Sequence, residues 1–213
     1  MIYNLGQNNS LINRYVFELR DVSTQNDRMR FRVNMERLGS IMAYEISKTL
    51  HYSPKPCTTP LGRLSIALPD SPTLVAVMRA GLPYFQGFVN FFDKSPCGFV
   101  GAYRKEGTDE IAIKLDYLAA PALQGSELIL IDPMLATGKS FVECIETLIR
   151  NGTPRHIHAA ALVAAPEGIA YLQSMVNIPL TIWTCAVDEK LNHRYYIVPG
   201  LGDAGDLAFG EKI

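Results

Sequence analysis

Short, almost uninterrupted apolar runs recur along this chain, and they restrict its fold more than any other feature. The runs typical of strands cover residues 64–68, 74–78, 98–103, 127–131, 158–164 and 181–187. Strands this apolar belong in parallel sheets that are buried on both faces. Helical stretches fit between them at residues 82–92, 140–150 and, after Pro166, 167–175. The alternation predicts an α/β fold with an open, doubly wound, mainly parallel sheet flanked by helices.

The N-terminal part predicts one long helix, from about residue 23 to residue 50, with Ser23 or Thr24 as its cap. Apolar residues recur there at helical spacing: Phe31, Met35, Leu38, Met42, Ile46 and Leu50. This stripe is a packing face, against either the core or a second subunit. The segment 53–60 contains three prolines and predicts a loop.

Two segments depart from the alternation. Residues 104–125 open with polar side chains and predict a mobile hairpin or loop over a site, with a plain surface insertion as the alternative. Residues 188–213 are rich in glycine and proline and predict a small C-terminal hood with little regular structure. The chain has 213 residues, of which 48% are hydrophobic, and this size suits a single domain over residues 1–213.

Charge and cysteine usage exclude several classes of protein. A formal net charge of −1 argues against a general nucleic-acid binder. No signal peptide is visible, and the apolar runs are too short to cross a bilayer, so we expect a cytoplasmic protein with no membrane partner. The four cysteines form no C-x-x-C pair, which favours reduced thiols. His156 and His158 share one strand face, but no second pair of ligands accompanies them, and no metal site is predicted.

The stretch I-L-I-D-P-M-L-A-T-G-K-S-F, residues 129–141, ends like a nucleotide-binding P-loop. A P-loop needs glycine where this chain has Pro133, which disfavours an ATP site. Asp132 follows a strand, and its carboxylate can accept from two vicinal hydroxyls. Thr137, Gly138 and Ser140 open the next helix, whose free N–H groups attract phosphate. The pattern therefore favours a cradle for a ribose 5-phosphate.

D-P-M-L-A-T-G-K-S also resembles the loop that binds phosphoribosyl diphosphate (PRPP) in uracil phosphoribosyltransferases. Further segments match that family in the same order: V-M-R-A-G-L (77–82), G-F-V-G-A-Y-R (98–104), L-V-A-A-P-E-G-I (162–169) and Y-I-V-P-G-L-G-D-A-G-D (196–206). F-E-L-R-D-V-S-T and A-Y-E-I-S-K-T-L near the N-terminus are similar too. The resemblance covers nearly the whole chain.

The resemblance implies a type I phosphoribosyltransferase fold and an enzyme of pyrimidine salvage that converts uracil and PRPP to UMP and diphosphate. Its transition state resembles an oxocarbenium ion, and the cofactor is Mg²⁺ held mainly by PRPP and water. The implied catalytic residues are Asp132, Asp203, Arg79 and Arg104. The implied PRPP-binding residues are Arg79, Arg104, Asp132, Pro133, Met134, Leu135, Ala136, Thr137, Gly138, Lys139, Ser140 and Asp203. Uracil is assigned to Ile197, Gly202, Asp203 and Ala204, mainly through their backbone groups.

The resemblance further implies a homo-oligomer, either dimer or tetramer, and GTP as an effector in some members. This chain departs from the family at three positions, where Lys139 and Tyr195 replace glycine and Leu207 replaces arginine. These changes leave two alternatives open. One is a phosphoribosyltransferase that takes another base or has weak activity, and the other is an RNA-binding regulator of pyrimidine genes that senses PRPP or nucleotides.

Overall fold

The structure is a computed structural model that describes residues 1–104 and 113–211, with side chains described outside residues 102–116. The helices are α1 (Leu11–Arg20), α2 (Arg28–Ser47), α3 (Gly81–Phe91), α4 (Lys139–Leu148), α5 (Pro166–Met175) and α6 (Ala204–Phe209). The strands are β1 (Ile2–Asn4), β2 (Tyr52–Thr59), β3 (Gly62–Pro69), β4 (Thr73–Met78), β5 (Cys97–Arg104), β6 (Ile113–Ala119), β7 (Glu127–Ile131), β8 (Met134–Leu135), β9 (His156–Ala160), β10 (Val163–Ala164), β11 (Leu180–Thr184), β12 (Ala186–Val187), β13 (Lys190–Leu191) and β14 (Ile197–Val198).

A central sheet has the strand order β1-β11-β9-β7-β4-β5-β6. Its neighbouring strands run parallel except β6, which is antiparallel to β5. From β4 the chain steps to β5 on one side, then returns to β7 and continues through β9 to β11 on the other side. The strand order therefore reverses between β4 and β7. This confirms the predicted doubly wound, mainly parallel α/β fold.

Alternating residues of the strands pack on opposite faces of the sheet. In β4, Leu74 and Ala76 join a core with α1, α2 and α3, whereas Val75 and Val77 join a core with α4 and α5. The same alternation divides β7, where Ile129 faces the first core and Leu130 the second. Because both faces are buried, these strands read as continuous apolar runs.

The prediction of one helix over residues 23–50 is wrong at its start. Helix α2 begins only at Arg28, where Asp27 caps it by accepting from the Arg30 N–H at 3.0 Å, and a separate helix, α1, ends before it at Arg20. The Thr24 hydroxyl instead donates to the carbonyls of Glu18 and Asp21 at the end of α1. The predicted apolar stripe is confirmed, since Phe31, Met35, Leu38, Met42 and Ile46 of α2 are buried.

The prediction of a loop at residues 53–60 is also wrong, because β2 and β3 form an exposed antiparallel hairpin. Strand β2 has a single partner strand, β3. Pro54 and Pro56 are two residues apart, so their nitrogens point the same way and both can face the open edge of the hairpin. Proline disfavours a central strand but is compatible with this arrangement.

The long apolar runs 158–164 and 181–187 are each interrupted. Strands β7, β9 and β11 end, and after one to two residues β8, β10 and β12 form a second, smaller parallel sheet in the order β12-β10-β8. The hood contains more regular structure than expected, with the short β13–β14 pair and α6. In the segment 104–125, β6 is a hairpin strand against β5, and residues 105–112 lie outside the described residues. Of the described helices, none has the length and apolar character needed to cross a membrane.

Substitution of Gly87 by alanine should destabilise the fold, because α2 and α3 touch through glycine. A Cβ at Gly87 would lie 2.1 Å from the Glu36 carbonyl oxygen and 2.4 Å from the Ser40 nitrogen. Overpacking of this kind costs about 1–3 kcal/mol, against a helix-propensity gain of up to about 1 kcal/mol. We expect urea unfolding to show a net loss for Gly87→Ala. Gly62→Ala is the control, since its Cβ would meet nothing within 4 Å; a Gly87→Ala protein as stable as this control would contradict the packing argument.

Candidate active site

The turn after β4 and the turn after β7 lie side by side at the carboxyl edge of the sheet. Arg79 follows β4 and Asp132 follows β7, and the two strands are adjacent and parallel. A Cβ on Gly81 would approach the Ile131 carbonyl oxygen to 2.8 Å, so the two turns are in close contact. Open α/β sheets bind ligands where the strand order reverses. The structure thus places two predicted site residues, Arg79 and Asp132, at one crevice.

Backbone hydrogen bonds hold the loop that follows Asp132. The Asp132 carboxylate accepts from the Met134 N–H at 3.2 Å. The Pro133 carbonyl accepts from the N–H groups of Leu162 and Val163, and the Leu135 carbonyl accepts from the Ala165 N–H at 2.9 Å. Proline has no N–H to offer, but its carbonyl is an anchor for this loop. The path of the loop is therefore fixed mainly by main-chain groups of the neighbouring segment.

Gly138 is the N-cap of α4, with φ of 78°. Few other residues adopt this left-handed conformation without strain. A Cβ at Gly138 would also lie 2.7 Å from the Gly168 carbonyl oxygen, and a Cβ at Gly168 would lie 2.2 Å from the Ala136 carbonyl oxygen. Sequence reasoning missed Gly168, although L-V-A-A-P-E-G-I was noted for its family likeness. Gly138 and Gly168 thus bring the loop after Asp132 into close contact with α5.

Each residue of G-D-A-G-D, residues 202–206, has a definite place. Gly202 has φ of 93°, and Asp203 caps α6 by accepting from the Asp206 N–H at 3.0 Å. Ala204 is buried in the first core. A Cβ at Gly205 would lie 3.1 Å from the Asp203 carboxylate and 3.9 Å from Nη2 of Arg79. This motif therefore closes the crevice beside the turn that carries Arg79.

Arg79 is bonded directly to the hood. Its Nη2 donates to Oδ1 of Asp206 at 3.1 Å and to the Gly210 carbonyl at 3.2 Å. Nε of Arg79 is buried and has no hydrogen-bond partner among the described residues. Nε of Arg20 is buried and unpaired in the same way, so this feature by itself does not mark a ligand site. Asp206 was not predicted as a site residue, because the family resemblance placed Asp203, and not Asp206, among the catalytic and binding residues of this motif.

The start of the hood is fixed by a second arginine, which sequence reasoning also missed. Arg20 donates to both carboxylate oxygens of Asp188, at 3.0 and 2.8 Å. The Asp188 carboxylate also accepts from the Gly200 N–H at 2.8 Å, and the Gln25 side chain donates to the Leu201 carbonyl. Arg20 and Gln25 come from the region of F-E-L-R-D-V-S-T, which the sequence marked only by its resemblance. That segment holds the hood in place.

Helix α1, which ends at Arg20, is tied to α2 by Glu18. The Glu18 carboxylate accepts from Arg14 at 2.6 Å, Asn34 at 2.8 Å and Arg30 at 3.4 Å. The hydrogen bond from Arg14, followed by the one from Asn34, lowers the pKa of Glu18 to about 2. The attachment of α1, and through Arg20 that of the hood, therefore depends on an ionised Glu18.

The predicted uracil residues occupy the hood, where Ile197 and Ala204 are buried in the first core. The Ile197 side chain faces the protein interior, so only its main chain is available to a ligand. Tyr195, exposed, has φ of 61°, the conformation that explains why glycine suits this turn. Leu207 lies partly buried, with Cδ1 3.8 Å from the Cβ position of Gly202. Arg104 ends β5, but its side chain lies outside the described part of the structure.

His156 and His158, which were considered as metal ligands in the sequence, lie away from the crevice. His156 and His158 share one face of β9, as predicted, with ring centroids 4.6 Å apart. His158 accepts from Trp183 at Nδ1, so its Nε2–H donates to Glu127 at 3.0 Å. Glu127 is the first residue of β7, at the end of that strand opposite the crevice. Within residues 1–104 and 113–211, no group of three or more His, Cys, Asp or Glu side chains is arranged to hold a metal.

The sequence and the structure were both compared with those of known proteins. The family described as "Uracil phosphoribosyltransferase" matches residues 7–211. A uracil phosphoribosyltransferase of Porphyromonas gingivalis is 45% identical over 214 residues, covering 100% of this chain and 99% of that protein. The solved structure of the AQ2163 protein from Aquifex aeolicus covers 100% of both chains, with 28% identity and a TM-score of 0.88. A hypoxanthine phosphoribosyltransferase from Staphylococcus aureus has 11% identity and a TM-score of 0.51, over 91% of this chain and 92% of that one, which shows a shared fold.

Substitution of Gly168 by alanine should displace the loop after Asp132. Its methyl group would lie 2.2 Å from the Ala136 carbonyl oxygen and 2.9 Å from that of Leu135, both main-chain atoms. A shift of this loop by a fraction of an ångström should weaken PRPP binding about 10-fold or more. Isothermal titration calorimetry measures the affinity, and Gln173→Ala, on the exposed face of α5, is the control. Unchanged PRPP affinity in a less stable Gly168→Ala protein would show that α5 does not position the loop.

Acid should release the contact between α1 and α2. Because the folded protein lowers the pKa of Glu18 from 4.5 to about 2, the unfolded chain takes up the proton first as the pH falls. The stabilisation is complete above about pH 4.5 and is lost as the pH falls towards 2. Glu18→Gln should therefore be less stable than the native protein at neutral pH, and the difference should shrink below pH 4.5. Urea unfolding at several pH values tests this, with Glu45→Gln, a partner of Lys48 at the end of α2, as the control; a constant difference across this range would contradict it.

Proposed function

This chain belongs to the uracil phosphoribosyltransferase family, and from that premise we propose that it transfers the 5-phosphoribosyl group of PRPP to N1 of uracil, giving UMP and diphosphate. One observation carries the proposal beyond family membership. The turn of Arg79, the loop after Asp132 and the G-D-A-G-D motif meet at the point where the strand order reverses. A substrate with a sugar phosphate, a diphosphate and an incoming base needs three such surfaces side by side.

The loop from Asp132 to Ser140 is proposed to hold the ribose 5-phosphate. Helix α4 begins at Lys139, and its first N–H groups have no partner within the helix, so they favour an anion together with the helix dipole. The Thr137 hydroxyl accepts from the Lys139 N–H at 3.4 Å, and its own proton remains for a phosphate oxygen. Ser140 supplies a second hydroxyl. Pro133, Met134, Leu135 and Ala136 contribute their main chain.

Asp132 is proposed to accept hydrogen bonds from the ribose hydroxyls. Its carboxylate is already oriented by the Met134 N–H, so little ordering is required when the sugar binds. Arg79 is proposed to contact the diphosphate, which is supported by its place beside the turn of Asp132 and by the 39% exposure of its side chain. Arg104 is assigned the same task by the family resemblance alone. Lys139 is proposed to add positive charge near the 5-phosphate.

Uracil is proposed to bind to main-chain groups of Ile197 and of Gly202, Asp203 and Ala204. Alternating N–H and C=O groups of a fixed backbone match the alternating acceptors and donors of the uracil edge. The cap bond from Asp206 to Asp203 and the burial of Ile197 and Ala204 hold this backbone rigid. Bond cleavage at C1 then needs stabilisation of the departing negative charge, which positioned cations provide.

Mg²⁺ completes the proposed assembly. The crevice offers the hard carboxylate oxygens of Asp132 and Asp203, but the described residues contain no group of three metal-binding side chains. The donor set thus fits a Mg²⁺ ion held mainly by PRPP oxygens and water, which when bound neutralises the diphosphate charge. From its length and composition we also propose a single domain over residues 1–213, and from its lack of a visible signal peptide a cytoplasmic protein. The family resemblance supports a homo-oligomer and GTP as an effector.

The function is tested by UMP formation from uracil and PRPP with Mg²⁺, with cytosine, orotate and hypoxanthine assayed in parallel. We expect turnover with uracil and a fall in kcat/KM of about 100-fold for Asp132→Asn, because charged hydrogen bonds contribute about 1.5–3 kcal/mol each. Asp93→Asn, an exposed aspartate after α3, is the matched control and should keep native activity. Turnover with another base would correct the substrate, and PRPP binding without any turnover would contradict the enzyme proposal.

A further inference from the structure

The hood is attached to the body of the protein by two arginine–aspartate pairs. One joins Arg20 to Asp188 where the hood begins, and the other joins Arg79 to Asp206 near its end. The two pairs differ in where their arginine lies relative to the crevice. Arg20 lies at the end of α1, whereas Arg79 lies in the crevice and is proposed to contact the diphosphate.

Both hydrogen-bond partners of Nη2 of Arg79 come from the hood. Asp206 lies in α6 and Gly210 follows it, at 3.1 and 3.2 Å from Nη2. The two N–H groups of Nη2 are therefore used, and the remaining donors of the guanidinium are those of Nη1 and Nε. Because the group is planar and rigid, fixing Nη2 at two points also fixes the directions of the other donors.

Asp206 is itself held firmly. Its N–H donates to the Asp203 carboxylate at 3.0 Å, and its carbonyl accepts from the Gly210 N–H at 2.8 Å. Ala204 and Ala208 of the same helix are buried in the first core, and Arg32 of α2 donates to the Ala208 carbonyl at 2.8 Å. Helix α6 is thus a rigid carrier that connects the proposed uracil site, at Asp203, with Arg79.

We propose that Asp206 is a positioning residue that holds the Arg79 guanidinium in the direction needed for the diphosphate, separately from its share in attaching the hood. The inference rests on the proposed function. This inference and simple electrostatics predict opposite changes in PRPP affinity when Asp206 is removed. Asp206 is a negative charge beside a site for a polyanion, so its removal should tighten PRPP binding if charge alone mattered. If Asp206 acts by orienting Arg79, its removal weakens binding.

A double-mutant cycle measured by calorimetric titration with PRPP and Mg²⁺ tests this inference. Asp206→Ala should weaken PRPP binding about 10-fold, the size typical of a charge-assisted hydrogen bond. In an Arg79→Ala background the same substitution should have no further effect, because Asp206 acts through Arg79. Asp206→Asn preserves the size of the side chain and one acceptor oxygen, and should give a smaller loss in the same direction.

Asp188→Ala is the matched control, since it loosens the hood at its other attachment without touching Arg79. It should lower the melting temperature while changing PRPP affinity less than about twofold. The inference is overturned by tighter PRPP binding in Asp206→Ala, by an equal loss in both backgrounds, or by an equal loss in Asp188→Ala. If the native protein binds PRPP and forms UMP but the variants give one of these results, only the inference is refuted. If the native protein binds no PRPP, the proposed function and the inference both fail.

Discussion

The parallel pairing of β4 with β7 is the contact on which the rest of the site depends. The two strands pair from Thr73 with Leu128 to Ala76 with Ile131, so their carboxyl ends finish at the same edge. The chain leaves these ends towards opposite faces of the sheet, into α3 and α4. A crevice therefore opens between the turns that follow these strands, and the path of the backbone alone forms it. Functional groups need only be placed on those turns to converge.

Glycine packing against main-chain atoms sets the shape of this crevice. Gly81 contacts the end of β7, Gly168 contacts the loop after Asp132, and Gly205 leaves room beside Arg79. In each case the neighbouring atom is a carbonyl oxygen or a charged group that participates in the site. Because protein interiors are close-packed, a methyl group added at one of these glycines would clash with its neighbours unless the backbone moved. Preorganisation of the crevice is thus built into the backbone.

The sequence predicted the parts of the structure that rest on local pattern. Strand β7 was predicted to the residue, and α3, α4 and α5 within one or two residues, because buried strands and amphipathic helices have a clear periodicity. Helix α1 was overlooked although its sequence, L-I-N-R-Y-V-F-E-L-R, is amphipathic, and the hairpin strand β2 was missed because it contains prolines. At the site, strand-end position indicated Asp132 and Arg79. The pairs Arg20–Asp188 and Arg79–Asp206 could not be predicted, because their partners are 168 and 127 residues apart in the chain.

The same long-range contacts clarify what the departures from the family pattern change. Tyr195 adopts φ of 61°, where a residue with a side chain is strained by about 1–2 kcal/mol, but it lies in an exposed turn between β13 and β14. Leu207 is partly buried against the first core and near Gly202, and compared with the arginine of the family it removes a positive charge without removing a contact of Arg79. Gly202, Asp203, Gly205 and Asp206, which carry the bonds that close the crevice, are all present. The attachment of the hood is therefore intact, and under the proposed function the recognition of the diphosphate depends on Arg79 and on Asp206, which holds its guanidinium.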